Sequence, residues 1–218
     1  MSSVTKFSYI LIAMVFYMLG YAAIQSAVHI GEFDFYTDID SFIPLVTEFI
    51  WVYHSVIPVM IFTMIVLVKD KTLFFSMFWS CFVASIILNI SYLALPSFYP
   101  REEFVVSSIH DYLLHLTWQL DGAQNTFPSG HVTFSWLIML TALKSKMVSC
   151  SRSLGLLYIF WTVCVTLSTL VLKQHFVVDV LSGIFLSCFV FYSVNYLMCN
   201  KIKLFITDDI DASHARRR

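Results

Sequence analysis

Six long apolar runs constrain this chain more than any other feature. They lie at about Phe7–Val28, Phe42–Val68, Thr72–Leu95, Ser129–Met147, Leu154–Leu172 and Val177–Cys199. Each approaches the roughly 20 residues that cross a bilayer as a helix. Inside lipid every backbone N–H and C=O must find its partner within the chain, as a helix provides. Composition agrees. Of the 218 residues, 59% are hydrophobic and only 12% charged, against about 45–50% and about 25% in soluble domains. The expected fold is all-α: a polytopic membrane helix bundle with six transmembrane helices, forming a single domain over residues 1–218. The N-terminal run is longer than a signal-peptide core and has one basic residue, Lys6, so it is read as a retained first helix.

The connections set an orientation. Alternate segments hold 11 Lys/Arg (Lys6, Lys69, Lys71, Lys144, Lys146, Arg152, Lys201, Lys203 and Arg216–Arg218) and 2 (Arg101 and Lys173). Positive residues favour the cytoplasmic side. Both termini, including a tail from about residue 201 to 218, are therefore expected in the cytoplasm. The third and fifth connections are expected on the outer face. Short loops point to a bacterial inner membrane, with the outer face periplasmic. The near-neutral net charge of −1 gives no sign of a nucleic-acid partner. Oligomeric state is not legible. The five cysteines form no CxxC pair and read as small packing residues.

The third connection, Pro96 to Pro128, carries a helical stripe at Val105, Ile109, Leu113, Leu116 and Leu120. An amphipathic helix in the outer interface is expected there, with His110, Asp111 and Gln119 away from the apolar stripe.

Ionisable residues gather on the same outer side. "NTFPSGHVTFSW" places Ser129, Gly130 and His131 at the start of the fourth span, near Pro128, a residue common in first turns. "STLVLKQHFVVDVLSG" places Lys173, His175 and Asp179 before and within the sixth span, and Arg101 follows the third. His175 and Asp179 are four apart, which puts them on one helix face. A carboxylate accepting from one imidazole nitrogen fixes the tautomer and frees the other as a nucleophile. The alternative is a structural ion pair capping the helix. A zinc site would want more ligands at closer spacing. A serine nucleophile would want a G-x-S-x-G elbow. A proton relay has only Glu48 and His54 within spans. Phosphoryl transfer fits best: one histidine attacks phosphorus and the other protonates the leaving oxygen. Amide donors at a helix start, with nearby cations, hold the phosphate oxygens. The active-site segments are thus about residues 96–136 and 168–183. No metal or other cofactor is expected.

"FPSGHVTFS" and "STLVLKQHFVVDVLSG", 44 residues apart from His131 to His175, resemble the second and third signature motifs of the type 2 phosphatidic acid phosphatase superfamily. "IDSFIPLVTEFIWVYHSVIP" and "LPSFYPRE" are similar to its branch of inositol-phosphorylceramide synthases and related phosphotransferases. The resemblance implies His175 as nucleophile, Asp179 as its orienting partner and His131 as general acid. It implies Ser129 and Gly130 in phosphate binding. The pattern departs in two places. Where the first motif has a lysine and an Arg-Pro, this chain has Ala94, then Arg101 and Glu102. Where the third begins Ser-Arg, it has Ser168 and Thr169. Arg101 and Lys173 are the cations left to replace the missing ones, with Ser168 and Thr169 as further contacts. The expected function is metal-independent hydrolysis of a lipid phosphate monoester or pyrophosphate at the outer leaflet through a phosphohistidine. The alternatives are transfer of a phospho-headgroup to a lipid hydroxyl and a non-catalytic lipid-binding or scrambling protein. The expected partners are a membrane phospholipid and the bilayer.

Overall fold

The computed structural model describes residues 2–27, 33–101 and 103–215, with side chains described up to Met198 except at residue 67. Glu102, Glu32 and Arg216–Arg218 lie outside it, as do the side chains of Lys201 and Lys203. Helix α1 spans Ser3–Ala27, and a short α2 covers Asp38–Ser41. The second run is broken. A 3₁₀ turn at Thr47–Phe49 leads into α3 (Ile50–His54) and α4 (Val56–Phe62), and a π-helical turn follows at Thr63–Leu67. Then come α5 (Lys71–Ala94), α6 (Ile109–Asp121), α7 (Gly130–Lys144), α8 (Lys146–Ser149), α9 (Arg152–Val171) and α10 (Val177–Ala215).

The all-helical class holds. Five helical stretches among the described residues are long and apolar enough to cross a membrane: Ser3–Ala27, Thr47–Val66, Lys71–Ala94, Arg152–Val171 and Val177–Met198. The fourth expected span is different. Helix α7 has 15 residues, about 22 Å at 1.5 Å per residue, short of the ~30 Å hydrocarbon core. It packs against α4, α5, α9 and α10. Protein rather than lipid surrounds it, which is why it buries Thr133, Ser135 and Thr141 beside Leu137 and Ile138. The surfaces of the outer helices are apolar, with Leu19, Ile90, Phe160 and Phe185 exposed, as lipid contact requires. Helix α10 runs on to Ala215, so the residues expected as a tail from 201 continue the helix.

Helix α6 forms where the amphipathic stripe places it, and the stripe faces away from the protein. Ile109, Leu116 and Leu120 are exposed, while Asp111, Leu114, Thr117 and Trp118 are buried. The polar side wins the interior because its groups have partners there. Asp111 accepts from the backbone and hydroxyl of Ser107 and the backbone of Ser108, closing a capping box with Ser108. The Thr47 hydroxyl adds a bond from the second run and holds the Asp111 carboxyl well below the usual carboxylate range. His54 Nε2 pairs with Thr117 Oγ1 at 2.9 Å.

A carboxyl whose pKa is lower folded than unfolded stabilises above its unfolded value, about 3.9, and loses that contribution as pH falls. Amide exchange in α6 should therefore accelerate below about pH 4, and Asp111→Asn should accelerate it at neutral pH. Unchanged protection in Asp111→Asn would show that α6 is held by Leu114 and Trp118 alone.

Candidate active site

The site is built where three connections meet at one end of the bundle. After α5 the chain runs extended, and Tyr99 N–H donates to the Ala123 carbonyl (2.8 Å). The buried Ser97 hydroxyl accepts from Thr126 Oγ1 (2.8 Å) and Phe127 N–H (2.9 Å). This pairing lays segment 97–101 beside segment 122–128. Helix α7 then starts two residues later than the proline suggests. Ser129 is its N-cap, and its hydroxyl accepts from Val132 N–H at 3.5 Å. Ser129 N–H donates to the Asp179 carbonyl at 3.0 Å, joining the starts of α7 and α10.

Helix α9 ends in a Schellman turn. Lys173 N–H donates to Leu170 O and Gln174 N–H to Thr169 O, each at 3.0 Å. Lys173 takes the left-handed position, φ 54°, where glycine is usual. The turn presents the Lys173 carbonyl to Arg101 Nη1. Arg101 Nη2 donates to Gly122 O (2.6 Å) and Gln174 Oε1 (2.8 Å). The guanidinium lies over the Trp118 ring, 5.1 Å from its centre. Burial pulls the Arg101 pKa down from its ordinary value, yet a guanidinium stays charged. Its Nε–H is buried with no protein partner, leaving it a donor for a ligand oxygen.

His175 is 8% exposed, and its Nδ1 sits 2.8 Å from the Thr126 carbonyl. A carbonyl only accepts, so Nδ1 carries the proton and Nε2 keeps its lone pair. The Asp179 carboxylate is 3.6 Å from the same nitrogen, beyond hydrogen-bond range. Its Oδ2 instead accepts from Phe176 N–H at 2.9 Å, capping α10. His175 lies two residues before α10 begins, so the pair does not share a helix face, and a main-chain carbonyl fixes the tautomer. His131 stacks on Tyr53, with ring centres 3.8 Å apart. Tyr53 Oη reaches Asp121 Oδ2 at 3.3 Å, and Tyr21 Oη reaches Oδ1 at 2.7 Å.

A cavity of about 400 Å³ gathers these groups. His131, His175, Arg101 and Gly130 line it. Four expected contacts do not. Lys173 Nζ donates to the carbonyls of Asp40 (3.3 Å) and Ile43 (2.5 Å), and Asp40 in turn accepts from Val177 N–H. Lys173 therefore fastens the 38–43 segment to the start of α10. Ser168 and Thr169 turn back onto their own helix, bonding Val165 O and Thr166 O. Ser129 is fully buried beneath Gly130 as a cap. Among the described residues Arg101 is then the one Lys or Arg in the cavity wall. No group of three or more His, Cys, Asp or Glu that could hold a metal occurs among the described residues. Tyr53, Asp121 and Gln174 also line the cavity, and the sequence motifs single out none of them. Asp121, an acid just before the PSGH stretch, was the one with a visible signal. The Thr126 carbonyl had none, since every residue carries one.

The family model of the PAP2 superfamily matches residues 39–193. The chain belongs to the PAP2 superfamily. No curated protein and no solved structure matches it. The matched range takes in both histidines, Asp179 and Arg101, and begins after α1. Membership makes this a membrane protein of a phosphatase-like family acting on lipid phosphates. Within that PAP2 frame, α1 packs mainly on α5 and adds Tyr17 and Tyr21 to the cavity wall.

Helix α1 presses closely on Gly130. A Cβ there would lie 2.6 Å from Tyr17 Oη and 3.3 Å from Tyr92 Oη. Gly130→Ala should cost about 1–3 kcal/mol, the usual penalty of overpacking, read as a lower Tm in detergent. Tyr17→Phe should restore most of it. A Gly130→Ala protein as stable as the parent would mean that α1 shifts freely at this crossing.

Proposed function

We propose that the chain transfers phosphoryl groups from a lipid phosphate through a covalent phosphohistidine at His175. The observation that carries this is the 2.8 Å approach of His175 Nδ1 to the Thr126 carbonyl, which leaves Nε2 as a lone-pair nucleophile in a cavity shared with a second histidine. Nε2 attacks phosphorus and the bond from phosphorus to the lipid oxygen breaks. His131 gives that oxygen its proton. In the second step His131 takes a proton from water as the water oxygen attacks phosphorus, the P–N bond breaks, and phosphate leaves. Arg101 Nε–H and the amides at the start of α7 offer donors to the equatorial oxygens. Asp179, 3.6 Å from Nδ1, steadies the positive imidazole through charge rather than through a direct bond.

Hydrolysis of a lipid phosphate monoester or pyrophosphate is the leading form. A second reading is transfer to a lipid hydroxyl, as in the inositol-phosphorylceramide synthase-like branch. It is favoured by a cavity wall with a single cation and many hydroxyl groups, Tyr21, Tyr53 and Thr117 among them, around Asp121. The basic asymmetry supports a cytoplasmic placement for the termini and a catalytic end on the outer leaflet, in a bacterial inner membrane.

Two measurements test this. A brief pulse with phosphorus-labelled lipid should leave acid-labile label on His175, and His175→Gln should carry none. Release of the label to water or to an added lipid alcohol separates the two forms. Full turnover in His175→Gln would end the nucleophile assignment. For the orientation, Cys150 is exposed in the turn after α8. It should resist an impermeant thiol reagent applied from outside intact cells, whereas a cysteine replacing the exposed Ser108 should react. The reverse pattern would place catalysis on the cytoplasmic side.

A further inference from the structure

The cavity is much longer than a phosphate needs. From the histidines it continues between α1 and the broken second run as far as Ile10, Met60, Met64 and Phe78. On α1 the wall is one helical face: Ile10, Met14, Tyr17, Met18, Tyr21 and Gln25 recur at three- and four-residue steps. From Ile10 to Gln25 that face rises about 22 Å at 1.5 Å per residue. The polar groups cluster at one end, by Asp121 and Arg101. The other end holds Met14, Met60, Met64, Phe78 and Cys81, with no charged side chain in its wall.

Helix α1 is fastened at both ends of this gap. At the apolar end Lys6 Nζ donates to the carbonyls of Met64 (3.1 Å) and Val68, where the π turn leaves them in reach. At the polar end Tyr21 Oη and Gln25 Nε2 bond to Asp121. In between, the helices part. Met18, Ile57 and Leu120 line the cavity and are also 54%, 46% and 74% exposed. They form an apolar rim, and the α1 and second-run residues of that rim lie within membrane-crossing stretches. The opening therefore faces lipid rather than water. Leu120 belongs to the outward-facing stripe of α6, whose exposure has no other partner among the described residues.

We propose that the lipid enters sideways from the bilayer through the Met18–Ile57–Leu120 opening and lays one hydrocarbon chain along the α1 face, ending near Met64 and Phe78. The inference rests on the proposed function for the phosphate end. It adds where the hydrocarbon chain of that lipid lies: inside the protein, along the α1 face. An apolar arm with no charge in its wall suits a hydrocarbon, because a polar occupant would lose its hydration without gaining partners. A cavity of about 400 Å³ falls within the ~300–1,000 Å³ of small-ligand sites.

Ala13, on the cavity face of α1, provides the test. Ala13→Trp should fill the arm without touching the histidines. Turnover of dioleoyl phosphatidate should fall at least about tenfold in kcat/KM, the scale on which apolar pockets discriminate. Turnover of dihexanoyl phosphatidate should stay within about twofold, since a short chain does not reach the arm. Equal losses on both substrates, or none on either, would overturn the proposal. A wild-type protein that turns over neither would count against the proposed function instead, and the second measurement then decides the arm by itself. In the unaltered protein, phosphatidate with a diazirine at the chain end should label α1 near Ile10–Met14 or the second run near Met60–Met64. Label confined to lipid-facing residues such as Phe160 and Phe185 would show that the chain stays in the bilayer.

Discussion

Everything at the catalytic end depends on how closely the starts of α7 and α10 cross. Ser129 N–H donates to Asp179 O, and Thr133 Oγ1 donates to Ser129 O at 2.8 Å, with Gly183 O a second acceptor at 3.3 Å. A Cβ on Gly183 would lie 2.8 Å from Ser129 O, so the crossing exists only because residue 183 has no side chain. One consequence is positional. His131 follows the cap of α7 by two residues, and His175 precedes α10 by two. With the helix starts tied together, both histidines come to the same cavity without a direct bond between them. The other consequence is electrostatic. Gly130 and His131, in the first turn of α7, line that cavity, and the field of a helix start favours phosphate oxygens.

The parts of this arrangement that were legible in the sequence are those set by short-range chemistry. Apolar runs mark α1, α5, α9 and α10, and the PSGH stretch and the His175–Asp179 pair mark segments that meet at the cavity, where Gly130, His131 and His175 line the wall. The rest depends on contacts between distant segments. Lys173 reads as a spare cation because it stands beside His175. Its side chain instead meets two carbonyls more than a hundred residues away, at Asp40 and Ile43. The stripe of α6 reads as one side of an interfacial helix, but the sequence does not say which groups its other side meets. Lipid accepts Ile109 and Leu120 as readily as protein does, and Asp111 and Trp118 take the interior where Thr47 and Arg101 wait for them. The break in the second run falls where Pro58 puts it: with no N–H, Pro58 leaves the carbonyl of His54, the last residue of α3, without its helical donor. Pro58 sits inside α4, and Ser55 closes α3 with its hydroxyl on Val52 O.

That break is what separates the second run from α1. A straight helix crossing beside α1 would pack along its whole length, as α5 does. Here the second run starts with a 3₁₀ turn, changes register at Ser55 and ends in a π turn. It touches α1 chiefly at the π turn, where Lys6 finds carbonyls that the wider winding has released. Lys6 is only 5% exposed. A buried ammonium is costly unless its donors are met, so the π turn and Lys6 account for each other.

The shortage of cations then bears on the chemistry. With Lys173 committed elsewhere, Arg101 alone brings a full positive charge to the cavity wall, and three of its bonds already go to protein oxygens. Those bonds hold the planar fork still, which spends its freedom before any ligand arrives. A phosphate dianion here is met by one oriented guanidinium and a set of neutral amides, with Asp121 opposite, hydrogen-bonded to Tyr21 and Tyr53. Such a wall binds a free dianion less strongly than one lined by several lysines. It would disfavour retention of inorganic phosphate, and it gives hydroxyl groups on a substrate or acceptor a carboxylate and the phenols of Tyr17, Tyr21, Tyr53 and Tyr92 to bond. In the proposed mechanism, the geometry that would weaken the hold on the product is the same geometry that would admit a second hydroxyl-bearing molecule beside His175.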